Sequence, residues 1–216
     1  MSFISEKCPL CFTESELFFE DAEFKKYCHC KTCDGIFLSS IFHLPTNEEK
    51  NRYDLHINDI YDVNYHNFVD DLIRPIKMHQ KKSELGLDFG CGPSSVIQHS
   101  LIAKNYHILT YDPYYQPNAS VLEKKFSYIV SCEVIEHFNQ PNKSFQLLYN
   151  LLKKDGKLYL KTDVVYDRSK EKFKSWGYRQ DPTHVFFYSP KTFAYIQEKW
   201  NYSSLHIDKR VAILTK

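Results

Sequence analysis

Residues 85–96 read LGLDFGCGPSSV, from Leu85 to Val96, and this stretch decides the fold. Leu85, Leu87 and Phe89 make a short apolar run, a Gly-Cys-Gly turn breaks it, and Ser94 and Ser95 open a run with apolar Val96, Ile97, Leu101 and Ile102. That pattern predicts a strand, a tight turn and a helix start. Gly90 and Gly92 permit positive φ and leave no Cβ between backbone and ligand, so N–H groups can face a bound polar molecule. Asp88 ends the strand as an acceptor. A dinucleotide fold needs G-x-G-x-x-G to seat a pyrophosphate. Here the spacing is G-C-G-P with a carboxylate beside it, which disfavours an anion and suits a ligand carrying positive charge.

Two further segments follow in register. Tyr106 to Tyr111 (YHILTY) reads as a second strand ending at Asp112, and Phe126 to Cys132 (FSYIVSC) as a third, followed by Glu133-Val-Ile-Glu-His137. The ordered set resembles the class I S-adenosylmethionine-dependent methyltransferases. The resemblance implies a Rossmann-like α/β fold with a seven-stranded sheet whose last strand is antiparallel. It assigns Asp88, Gly90, Cys91, Gly92, Asp112, Pro113 and Glu133 to the cofactor S-adenosyl-L-methionine, with Asp112 accepting hydrogen bonds from the ribose hydroxyls. Only the short segment Pro113 to Lys125 separates Asp112 from Phe126, where the family places a helix, a strand and an acid near the adenine. The adenine contact is therefore unassigned, and the edge of the sheet is expected to be short.

The chain has 216 residues, room for one full-size α/β domain and a small appendage. A formal net charge of +1 offers no bulk support for nucleic acid or a membrane surface. No run of about 18 apolar residues and no signal-peptide core is present, so a soluble cytoplasmic protein is expected. Of the seven cysteines, Cys8, Cys11, Cys28, Cys30 and Cys33 crowd near the N-terminus, which suggests a metal site in a reducing compartment.

Cys8-Pro-Leu-Cys11 and Cys30-Lys-Thr-Cys33 form two C-x-x-C knuckles with Phe12 to His29 between them, the spacing of a tetrahedral Cys₄ zinc site. Leu17 to Glu20 and Phe24 to Tyr27 read as a hairpin inside that interval, and Gly35 to Leu38 as a third strand. Together these predict a structural zinc ribbon over residues 1–42. Cys28 and His29 are rival ligands; Cys30 with Cys33 is preferred because it repeats the first knuckle's spacing. Residues 43–84 read as a helical linker or lid, with helices over Pro45 to Tyr53 and Val63 to Met78, the second interrupted by Pro75. The stripe Val63, Phe68, Val69, Leu72, Ile73 and Ile76 of the second helix reads first as core packing; in methyltransferases of this type, the resemblance implies, the helix before the glycine turn lies over the cofactor as a lid. The tyrosines and histidines of Tyr53 to His66, with His56, Tyr61 and Tyr65, are candidate pocket residues. Residues 85–216 make the methyltransferase domain, with helices over Pro141 to Leu152 and Pro190 to Trp200, a strand over Lys157 to Asp163, and a closing pair at Tyr202 to Ile207 and Arg210 to Thr215.

Glu133, Glu136 and His137 stand at i, i+3 and i+4, so a helical turn starting at Glu133 would put them on one face beyond a strand's carboxyl end. Two carboxylates and an imidazole make either a hydrogen-bonded cluster or ligands of a divalent metal. His184, in Asp181-Pro-Thr-His184, can join them from a later loop. The set resembles the metal site of the small-RNA 3′-terminal and the ubiquinone-pathway O-methyltransferases, which implies Mg²⁺ or another divalent ion at Glu133, Glu136, His137 and His184. Without metal, His137 can orient a loop or act as a general base. Phe173, Trp176, Tyr178 and Arg179 sit where these folds build a substrate wall, and one arginine there suits a planar or anionic acceptor; Trp176 and Phe173 read equally as cover for the core. Cys91 and Cys132 are not needed as nucleophiles for transfer from a sulfonium. The reading is an enzyme that methylates an oxygen of a small-molecule acceptor, with Glu133, Glu136, His137 and His184 handling the acceptor. Its rivals are a metal-independent carbon or nitrogen methyltransferase, an RNA methyltransferase, and a non-catalytic zinc-ribbon binding module.

Overall fold

The computed structural model describes residues 6–55 and 59–216, and its first strands alternate with the cysteine turns. β1 (Glu6–Lys7), β2 (Glu14–Glu20), β3 (Lys26–His29) and β4 (Ile36–Leu38) form an antiparallel meander. The two knuckles are geometric twins. Phe12 N donates to Cys8 O and Asp34 N to Cys30 O, both at 2.8 Å, and Phe12 and Asp34 each take a left-handed φ, 65° and 62°.

α1 (Thr46–Tyr53) is polar throughout and buries none of its residues. α2 (Val63–His79) is capped by Asp62, whose carboxylate accepts from Asn64 N, and runs through Pro75 without a break. It packs into the core, as its apolar stripe led one to expect. Its buried stripe, Val69, Leu72, Ile73 and Ile76, packs beside α3 (Val96–Ile102) against one face of the main sheet. An amphipathic helix with four large aliphatic residues on one face is committed to a core, which leaves the polar α1 to cover the pocket.

The main sheet comprises β5 (Leu85–Phe89), β6 (His107–Tyr111), β7 (Phe126–Cys132), β8 (Leu152–Lys161), β10 (Ser204–Asp208) and β11 (Val211–Thr215). Its order is β10-β11-β8-β7-β5-β6, parallel from β6 to β8, with β11 antiparallel beside β8. Among the described residues, six strands form where seven were expected. Residues 113–125 hold a turn fastened by reciprocal Asp112 and Gln116 backbone bonds and a 3₁₀ segment, Ala119–Glu123. That is too little chain for a crossover helix and a strand. α4 (Pro141–Leu151) covers the sheet's other face, along with α6 (Pro190–Lys199).

β9 (Phe186–Phe187) lies between α5 (Lys170–Ser175) and α6 in sequence but pairs with β4, making the ribbon sheet five-stranded. Cys8, Leu10, Cys28, Cys30, Cys33 and Phe37 share one core cluster with Leu87, Phe145, Phe186 and Tyr188. Among the described residues, no helix is long and apolar enough to cross a membrane.

Candidate active site

The turn after β5 is built as its glycines require. Gly90 has φ +80° and Gly92 φ +66°, and a Cβ on Gly90 would lie 2.5 Å from a methyl carbon of Val134. Gly90 N donates to Tyr111 O at 2.8 Å, which draws the turn against the end of β6. Asp88 is buried and accepts from the Ser95 hydroxyl at 2.5 Å; Ser95 in turn caps α3 by accepting from Gln98 N. Burial pushes the Asp88 carboxyl up to about 7, against the Ser95 hydrogen bond and with help from the charge of Asp112. Asp112 is the loop's anchor: it accepts from Gly92 N at 3.0 Å, Tyr114 N at 2.9 Å and Tyr115 N at 3.1 Å.

A cavity of about 670 Å³ starts at this cradle, where Asp88, Gly90, Cys91, Gly92, Asp112 and Pro113 line it, and extends to Glu133, His137, Asp181 and His184. α1 roofs it. Tyr53 sets its ring edge-on to His137 at 5.1 Å, Glu49 accepts from Tyr53 at 2.8 Å and from Tyr114 at 2.7 Å, and Arg52 donates to Asp181 at 3.1 Å. Tyr65 and Phe68 of α2 line the wall. Of the other pocket candidates, Tyr61 is 76 % exposed and outside the lining, His66 bonds Ile60 O at 2.7 Å, and His56 lies outside the described residues.

The E-x-x-E-H segment does not form one helical face. Glu133 takes φ +53°, which ends the strand, and only Ile135–His137 make a 3₁₀ turn. Glu133 turns to Arg210, whose Nη2 donates to both of its oxygens at 2.9 and 3.0 Å. Glu136 is fully buried, with the Tyr178 hydroxyl donating to one oxygen and Thr162 Oγ1 to the other at 3.0 Å. Burial pushes the Glu136 carboxyl up, against the Tyr178 hydrogen bond, and burial with the charge of Glu136 pushes Glu133 up, against the pull of Arg210. His137 and His184 face one another with ring centroids 4.7 Å apart. His137 Nδ1 meets Thr183 O at 2.9 Å and His184 Nδ1 meets Tyr178 O at 2.6 Å. A carbonyl only accepts, so a proton is assigned to Nδ1 in both rings. Glu136, His137 and His184 place one donor atom each within 4.8 Å of one another; Glu133 stands outside this group.

The substrate-wall expectation fails for Arg179. It is 9 % exposed, donates to Asp21 at 3.3 Å and Tyr27 Oη at 3.2 Å, and faces the ribbon, away from the cavity. Phe173 is core as well, packed among Phe18, Phe19, Tyr27 and Phe187. Among the described residues, no lysine or arginine lines the cavity. Sequence reasoning missed Arg210, Glu49 and Thr162. Arg210 gave a faint signal as a charged residue in the turn between the closing strands.

Between the two cysteine knuckles, the four expected sulfurs meet. Cys8 and Cys33 Sγ are 3.4 Å apart, Cys11 and Cys30 Sγ 3.3 Å, and all four lie within 4.8 Å of one another. Tetrahedral zinc with Zn–S of about 2.3 Å would hold its sulfurs roughly 3.8 Å apart, close to this arrangement. Cys28 stays outside the cluster, and His29 pairs with Asp34 at 3.1 Å.

A family model described as a methyltransferase domain matches residues 61–207. The chain belongs to that methyltransferase family. No curated protein matches it in sequence. Among solved structures, a Bacillus halodurans protein described as a candidate methyltransferase is similar with a TM-score of 0.50 and 16 % identity, over 64 % of this chain and 71 % of that one. A Thermotoga maritima SAM-dependent methyltransferase gives 0.45 and 12 %, over 73 % and 96 %. Phosphoethanolamine N-methyltransferase 2 of Haemonchus contortus, solved with phosphomonomethylethanolamine and S-adenosylhomocysteine, gives 0.49 and 16 %, over 64 % and 38 %. At these identities the likeness is one of fold, and in this methyltransferase the glycine cradle and the histidine pair open on a single cavity.

Proposed function

We propose that the protein transfers a methyl group from S-adenosylmethionine to an oxygen of a small-molecule acceptor. The observation that carries this reading is the one continuous cavity joining the Asp88–Asp112 cradle to His137 and His184. The residues suit the cofactor. Asp88 and Asp112 set carboxylates beside a bare-backbone turn, as a cationic molecule with hydroxyl groups requires. A carboxylate offers about four acceptor positions, and three on Asp112 are taken by N–H groups, which leaves one for a ribose hydroxyl. When bound, the cofactor supplies an electrophilic methyl group on sulfur.

The chain's own contribution is positioning and proton removal. Nε2 of His137 or His184 accepts the acceptor's proton, and the carbonyls of Thr183 and Tyr178 hold each ring in the tautomer that makes this possible. Tyr178 and Thr162 orient Glu136 beneath His137. Tyr53 packs on the His137 edge and shields it from water.

A divalent ion at Glu136, His137 and His184 is the finer part of the proposal. With Glu133 committed to Arg210, the donor set is two imidazoles and one carboxylate, which suits manganese, iron, cobalt or zinc better than oxygen-loving Mg²⁺. Each imidazole donates its other N–H to a carbonyl, as metal-ligating histidines do. Such an ion would polarise an acceptor hydroxyl and lower its pKa. Cys8, Cys11, Cys30 and Cys33 would hold a structural zinc with no open coordination position.

Calorimetric titration with S-adenosylhomocysteine is expected to show micromolar binding; no binding removes the reading. With a panel of hydroxylated acceptors, turnover unchanged by EDTA while the Cys₄ metal is retained would remove the acceptor-site ion.

A further inference from the structure

Among the described residues, the ribbon contributes none to the cavity lining, yet it grips the loop that carries half of the acceptor site. Between Arg168 and Ser189 the chain carries Trp176, Tyr178, Asp181, Thr183 and His184. Both ends of this loop converge on one ribbon side chain. Asp34, 8 % exposed and next to Cys33, accepts from Arg168 at the loop's start and from Ser189 Oγ, at 2.6 Å, at its end. His29 Nε2 is its third partner, at 3.1 Å. Further along, the buried Arg179 is fastened to Asp21 and lies over the rings of Phe19 and Tyr27 at 5.2 and 5.3 Å. The residue after His184 links the ribbon to the acid beneath the histidines: Leu38 N donates to Val185 O, and Val185 N donates to Glu136 O, both at 2.9 Å.

We propose that Asp34 is a positioning residue for the acceptor half of the site, setting Tyr178 and His184 by tying both ends of residues 168–189 to the second cysteine knuckle. The proposal rests on the reading that His137 and His184 handle the acceptor. A buried carboxylate with three polar partners holds geometry strongly, because any partner that leaves exposes an unpaired buried group. The cofactor cradle is built from Asp88, the glycine turn and Asp112, none of which touches Asp34, so the two halves of the site should separate when Asp34 is removed.

The protein has two tryptophans, one in the loop and one at the end of α6 in the core. Trp176 Nε1 donates to Asp163 at 2.9 Å and Trp200 Nε1 to Gln146 at 3.0 Å, which gives each a distinct environment. Full-length protein labelled with 5-fluorotryptophan therefore yields two fluorine resonances, assigned with W176F. In D34A the Trp176 resonance is expected to shift or broaden while that of Trp200 stays, with S-adenosylhomocysteine affinity within about twofold of the parent. D34N tolerates the left-handed backbone and keeps an oxygen for Ser189 but loses the charge facing Arg168, so an intermediate shift is expected. Two unmoved resonances in D34A overturn the proposal. Collapse of both resonances with loss of cofactor-product binding also overturns it, since Asp34 would then serve the whole fold. Failure of the parent to bind S-adenosylhomocysteine would instead sink the methyltransferase reading and leave the resonance comparison intact.

Discussion

Asp88 shows how one residue's environment writes a pH dependence into the protein. Its carboxyl is raised to about 7 by burial, so between about pH 4 and 7 the folded state binds a proton that the unfolded chain has released. The stability this contributes is complete below the unfolded pKa and is lost as pH rises through about 7. The melting temperature of the ligand-free protein is therefore expected to fall between pH 5 and 8, and D88N, which cannot ionise, should flatten that fall. Equal slopes for the two proteins in a thermal-shift series would acquit Asp88. Residues of this kind were legible in the sequence because a strand end, a glycine pair and an acid at fixed spacing have few other uses. Arg210 was not: its partner Glu133 is 77 positions away in sequence, and only the sheet order, with β11 beside β8, brings the two together.

At the scale of elements, α2 packs into the core as its pattern led one to expect, whereas nothing in the polar pattern of α1 marks it as the cover of the cavity. The apolar stripe of α2 was visible, yet a stripe tells that a helix is buried and not against what. α1 is held over the cavity by polar and ring contacts alone, Glu49 to Tyr114, Arg52 to Asp181 and Tyr53 to His137, and buries no side chain. An element with so little buried surface opens at small cost. Its amides, residues 46–53, are expected to exchange with solvent far faster than those of α2 and to slow when S-adenosylhomocysteine binds. R52A should speed release of that ligand severalfold in stopped-flow displacement while leaving the melting temperature within about a degree. Unchanged release would mean that the helix does not gate the cavity. The lost seventh strand is an element-scale effect too, and here the short interval between Asp112 and Phe126 foretold it.

For the whole molecule, the knuckles were the most legible feature and their connection the least. Cysteine spacing announced the four-sulfur cluster, but nothing in Phe186 or Phe187 marks them as a fifth strand for a sheet that begins at Glu6. The shared core of ribbon and main sheet makes one cooperative unit. Calorimetry of the protein is expected to show a single unfolding transition, and deletion of residues 1–44 should give aggregation, because it uncovers Phe186 and Phe187. Two resolved transitions would show that the ribbon melts alone.

The same pairing imposes an order on synthesis. The cysteine turns leave the ribosome well before Phe186–Phe187, the strand that completes their sheet. At about 5–20 residues per second, that interval is on the order of ten seconds. During it the edge of β4 is open and Phe37 lacks its cover, so a nascent chain whose cysteine turns are sheltered by a chaperone has the advantage over one left exposed.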